Sequence, residues 1–237
     1  MTQPTFAALV WDGKGKVTRR ERFLAEMDAV IPWAVLTALV VPHYPRAGQG
    51  TQPMPLARML RIYFLQHWFN LSDPAMEDAL YDSEAMRRFA GIELGADPVP
   101  DESTILRFRH LLERHQLTEA MFGAVRTLLD ERQLLLKAGT IVDATIIEAP
   151  PSTKNAAHAR DPEMHQTRKG KTWHFGMKAH VGTDLQGIVH SLTTTAAHVA
   201  DITQLPQLLH GAERVLHGDQ AYWSAFHQQC SEAHGVD

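Results

Sequence analysis

From about Arg19 to Gln133 apolar residues recur at three- and four-residue steps, the period of helices that bury one face. The clearest stretch is PLARMLRIYFLQHWFNL, where Leu56, Met59, Leu60, Tyr63, Phe64, His67, Trp68 and Leu71 mark one stripe. Ser72, Asp73 and Pro74 end that helix and open another, since a small polar side chain caps free N–H groups and proline needs no N–H in a first turn. Pro100 and Asp101 repeat the signal ahead of ESTILRFRHLLERH, and Leu117, Met121, Val125, Leu128 and Leu129 form a further stripe. Residues 1–135 therefore read as a helical domain.

After Leu136 the period becomes two, and residues 136–237 read as a second, α/β domain. Residues 139–148 suit a buried strand, and WHFGMKAHVG alternates Trp173, Phe175, Met177, Ala179 and Val181 against His174, Lys178 and His180. That alternation predicts a half-buried strand with its polar set outside. Asp184 to Gly187 predicts a tight turn into GIVHSLTTTA, its hairpin partner. Asp201 and Gln204 resemble a capping box for a helix through Leu209, with Pro206 in its first turn. ERVLHGDQAY predicts a short strand ending in an acid, and SAFHQQCSEAHG a last amphipathic helix closed by Gly235. The predicted order is β, β, β, α, β, α, with residues 150–171 as a polar loop.

Composition adds limits. The apolar stretch Ala29 to Val41 has 13 residues interrupted by Pro32 and Thr37, short of the roughly 20 a membrane helix needs. The N-terminus lacks the pattern of a secretion signal, and the single cysteine, Cys230, cannot form an internal disulfide. A cytoplasmic protein is expected. Net charge is −4, so any nucleic-acid site must be a local patch. Ser152 to His180 supplies one: Lys154, Arg160, Arg168, Lys169, Lys171 and Lys178 stand against only Asp161 and Glu163. A solvated linker is the other reading of that run. His180 shares a strand face with Lys178, and Arg107 and Arg109 could lie on DNA or form an ion-paired helix surface with Glu113. The spacings of His174, His180, His190 and His198 fit no closed zinc site.

An aspartate within IVDATII is costly to bury unpaired. Its natural counterpart is Asp219, at the end of a later strand and 76 residues on, far enough for a hairpin, a crossover and a return strand. Two such carboxylates can bind Mg²⁺ or Mn²⁺ through hard oxygen ligands, the chemistry of phosphodiester cleavage. A helix cap or turn former is the structural alternative for either acid.

VDATIIEAPPSTKN, RDPEMHQTRKGKTWHFGMKAHVGTD, NLSDPAMEDALY and FRHLLERHQL together resemble the DDE transposases of bacterial insertion sequences, specifically the IS-five (InsH-like) family, over about residues 17–223. The resemblance implies a helical N-terminal domain that binds the element's terminal inverted repeats, then an RNase H-like mixed sheet with flanking helices. It implies that Asp143 and Asp219 are the first two acidic metal ligands, that Mg²⁺ is the cofactor with Mn²⁺ as substitute, and that DNA is the partner of a homo-oligomer, near the bacterial nucleoid. Glu148 matches the same block as a strand-end surface residue. The family's third acid, a glutamate on a later helix, would fall beyond Asp237; Glu232, only 13 residues after Asp219, is in the wrong place. The fifth strand is also missing, and AYWS stands where the family tends to have glycine after the tyrosine. The expectation is thus a truncated copy with an incomplete catalytic domain. A non-catalytic DNA-binding fragment, or an inhibitor of the full-length enzyme, is the alternative. An unrelated metal-dependent phosphodiesterase is a third.

Overall fold

Short polar caps start the helices of the first half. In the computed structural model, which describes residues 13–48, 52–151, 153–154 and 159–222, Thr18 accepts the Glu21 N–H while Glu21 reaches back to the Thr18 N–H, opening α1 (Arg19–Val30). Then come α2 (Trp33–Val40), α3 (Leu56–Phe69), α4 (Asp73–Asp82), α5 (Glu84–Ala90), α6 (Glu102–Arg114) and α7 (Leu117–Glu131). Ser72 caps α4 by accepting from Ala75, and Asp101 caps α6 by accepting from Thr104 at 2.7 Å. Asn70, in the left-handed conformation, ends α3.

The single stripe expected on α3 is incomplete. Ile62 and Leu65 are also fully buried, because α2, α4, α5 and α6 all pack on this helix. A helix so surrounded buries several faces. Among the described residues no single helix is long and apolar enough to cross a membrane.

The chain divides into two units, Met1–Leu128 and Leu129–Asp237. In the second, β3 (Thr172–Thr183) is the centre of a five-stranded mixed sheet. It pairs antiparallel with β1 (Gly139–Glu148) along one side, and with β2 (His165–Lys169) and β4 (Val189–Ala196) end to end along the other. The last strand, β5 (Val215–Gly218), lies parallel to β1. Between β4 and β5 come a 3₁₀ turn (Asp201–Gln204) and α8 (Leu205–Leu208). A helical first half followed by this open mixed α/β sheet is the expected fold class, an RNase H-like arrangement.

Three details differ from expectation. The polar stretch read as a loop contains β2, so the observed order through β5 is β, β, β, β, α, β. The helix expected from Asp201 shortens to a 3₁₀ turn plus α8, because the Asp201 carboxylate accepts from Lys178 Nζ at 2.8 Å and does not cap. The polar side of β3, expected outside, is the covered one: His180 is 0% exposed, whereas Trp173 is 64% exposed. Val142, Leu205, Leu208 and Tyr222 pack on that covered face, and Lys178 and His180 share it because their polar atoms find partners there. The expected last helix, with Cys230 and Glu232, lies outside the described residues.

Candidate functional site

The strand carrying Asp143 is covered on one face only. Thr140 and Val142 point to the core, whereas Ile141, Asp143, Thr145 and Ile147 point to the open side. Asp143 is therefore exposed, and no burial cost attaches to it, contrary to the buried strand expected. The parallel register ends on the pair Val142 and Gly218, and Asp143 and Asp219 are the residues that follow it on the two segments. Gly218 permits the approach: a Cβ there would lie 2.9 Å from the Val142 side chain. Each aspartate spends one oxygen on local backbone, Asp143 Oδ1 accepting the Ala144 N–H at 2.8 Å and Asp219 Oδ1 the Ala221 N–H at 2.9 Å. The latter bond opens a 3₁₀ turn, Gln220–Tyr222.

Tyr222 lies beside this pair, buried, with no hydrogen-bond partner for its hydroxyl among the described residues. Burial pushes the phenol well above its ordinary range, and the negative charges of Asp201, Asp143 and Asp219 push it further. That shared influence brings Tyr222 and Asp201 into the neighbourhood. The sequence marks Asp201 only as a helix cap and Tyr222 only through the AYWS departure, neither as part of this site. Among the described residues no group of three His, Cys, Asp or Glu side chains is arranged to hold a metal ion. The two aspartates fit such an ion as hard oxygen donors, and no ion pair engages either of them among the described residues.

On the covered face Lys178 donates to Asp201 and to the Val199 carbonyl, and His180 Nε2 lies 2.8 Å from Thr195 Oγ1. These two residues, read as surface contacts for DNA, are committed to the interior. Burial lowers the His180 pKa, opposed by Asp201 and reinforced by Lys178. Burial also lowers that of His190, helped by the nearby His210. Asp184 is fully buried at the β3–β4 turn; burial raises its pKa, but the N–H groups of Leu136, Ile188 and Gln186 outweigh that and hold it below the ordinary value.

All three shifts act in the same direction. Unfolded histidines bind protons near pH 6.5 before the buried ones do, so stability is lost as pH falls through that region. Asp184 contributes stability above its unfolded pKa, lost at still lower pH. The protection factors of the β3 and β4 amides, with the intrinsic exchange rate divided out, are expected to fall between about pH 7 and 5. Equal protection at both values would contradict this.

The remaining basic residues divide. Arg160, Arg168, Lys169 and Lys171 are exposed, the last two flanking Gly170 at the β2–β3 turn, and Lys154 is exposed as well. In the helical unit Arg107 is exposed and donates to Ser103, whereas Arg109 is bound to both carboxylate oxygens of Asp73 and not to Glu113. Glu148 is exposed at the end of β1 and hydrogen-bonded to His174.

Residues 12–111 match the family described as Transposase domain (DUF772), and residues 135–237 match the family described as Transposase DDE domain. No solved structure matches the chain. The DDE domain implies use of divalent metal ions, generally Mg²⁺. One transposase domain over the helical half and another over the sheet together support a DDE transposase, a type of enzyme that cuts and transfers DNA.

Proposed function

We propose that this transposase serves a bacterial insertion sequence of the IS-five (InsH-like) type, with Asp143 and Asp219 as two of its metal-binding carboxylates. It acts on DNA in the cytoplasm, at the nucleoid, as a homo-oligomer on the element's terminal inverted repeats. The observation that supports the reading is the register of β1 against β5, whose last pair, Val142 and Gly218, immediately precedes two exposed acids. A divalent ion bound there would supply positive charge to the oxygens of a scissile phosphodiester. The chain's own part is to hold the DNA: Arg160, Arg168, Lys169 and Lys171 offer exposed cations to phosphates, and the helical unit contacts the element end, with Arg107 on its surface.

A second reading, binding without catalysis, is favoured by one observation. Among the described residues no third acid joins Asp143 and Asp219 in a metal-holding group. One experiment separates the two: binding and Mn²⁺-dependent cleavage of duplexes carrying the element's ends, at several salt concentrations. Binding should weaken as salt rises, and Lys169→Ala with Lys171→Ala should cost about tenfold at low salt and reduce the salt slope by roughly two. Cutting that Asp143→Ala abolishes supports the enzyme, and binding without cutting supports the second reading. Neither binding nor cutting would overturn both.

A further inference from the structure

Trp173 is the most exposed large aromatic side chain among the described residues, 64% accessible, on the open side of β3. A flat apolar ring so far in water gains little from burial. Its surroundings are built for a ligand. Across the β2–β3 ladder Trp173 faces Arg168 and Phe175 faces Gln166, so cation and amide alternate with aromatic rings. The Arg160 guanidinium lies over the Phe175 ring, 5.4 Å from its centre. Trp173, Phe175, Gln166 and Arg160 line a cleft of about 600 Å³ walled by Pro150 and Pro151, within the roughly 300–1,000 Å³ of small-molecule sites. Glu148 also lines it, with its carboxylate held by His174. Lys169 and Lys171 add exposed positive charge at the adjoining turn.

Aromatic faces interleaved with cations suit one occupant above others, a nucleobase stacked on the ring with its phosphates on the cations. Bases in an intact duplex present only edges, so the occupant must be unpaired. We propose that Trp173, with Phe175 and Arg160, forms a stacking platform for an unpaired nucleotide of a DNA strand. The proposal rests on the DNA-binding reading above and adds a site away from the carboxylates, since Trp173 stands eight residues along β3 from Val181, the partner of Asp143.

The test uses the full chain with two labelled probes, a single-stranded oligothymidylate and a duplex of equal length, followed by fluorescence anisotropy. An exposed site makes Trp173→Leu compatible with folding. It is expected to weaken the single strand at least about tenfold and the duplex less than about threefold, while Trp173→Phe stays within about threefold on both. Equal binding of the strand by wild type and Trp173→Leu, or equal loss on both probes, would overturn the platform. So would intact DNA binding with a change only in self-association by sedimentation, which would make this face a contact between copies. If wild type binds the duplex but not the strand, the platform fails while the DNA reading stands; if it binds neither, both fail.

Discussion

Gly176→Ala is expected to unfold the sheet unit under conditions in which the wild type is stable, at a cost of about 3 kcal/mol or more. Gly176 sits where β1, β2 and β3 meet, paired with Glu148 on one side and His165 on the other. Its φ is +155°, and a Cβ built there would lie 2.0 Å from the Ile147 carbonyl oxygen. That atom belongs to a paired backbone and cannot withdraw without breaking the β1–β3 ladder that carries Asp143. Gly170, at φ +62° with open space around it, provides the contrast. Alanine there meets only the left-handed backbone penalty of about 1 kcal/mol. Urea unfolding of both variants checks the pair, and comparable losses would show that the Gly176 contact does not govern the sheet.

The helical half was legible because period and caps agreed. Thr104 and Ala75 donate to the Asp101 and Ser72 caps their positions suggested. What a stripe cannot tell is how many neighbours a helix has, and Ile62 and Leu65 were missed for that reason. Strand β2, HQTRK, carries no hydrophobic alternation, since it is held by backbone pairing at an exposed edge. Alternation along β3 revealed a strand but not which face is covered. That depends on Asp201 and Thr195, far along the chain, which meet Lys178 and His180 and make a polar interior tenable. For Arg109 helical spacing offers Glu113 as one alternative to DNA, whereas Asp73 reaches it from another helix.

The two aspartates are a different case. Spacing and strand ends suggested that Asp143 and Asp219 meet, and the resemblance gave them a chemistry. The parallel pairing of β1 and β5, which ends one residue before each of them, supports that meeting. No ion pair engages either among the described residues, and in a shared site a divalent cation would offset the repulsion between two like charges. Replacing either carboxylate by an amide removes a ligand and the repulsion together. Asp143→Asn and Asp219→Asn should therefore fold no less stably without metal, yet each should lose Mn²⁺ affinity. Because disturbing even an outer-shell partner costs about 10–100-fold in other metal sites, losing a ligand should cost at least about tenfold. A hydrophobic or packing role for these residues would give the opposite pattern, a weaker fold with unchanged metal binding.

The most direct measurement is a Mn²⁺ titration of the wild type, Asp143→Asn and Asp219→Asn, followed by electron paramagnetic resonance of the free ion. A shared site predicts that the wild type takes up Mn²⁺ and that both variants lose the same binding event. Unchanged uptake in both variants, or loss in one alone, would show that the two carboxylates do not hold a common ion.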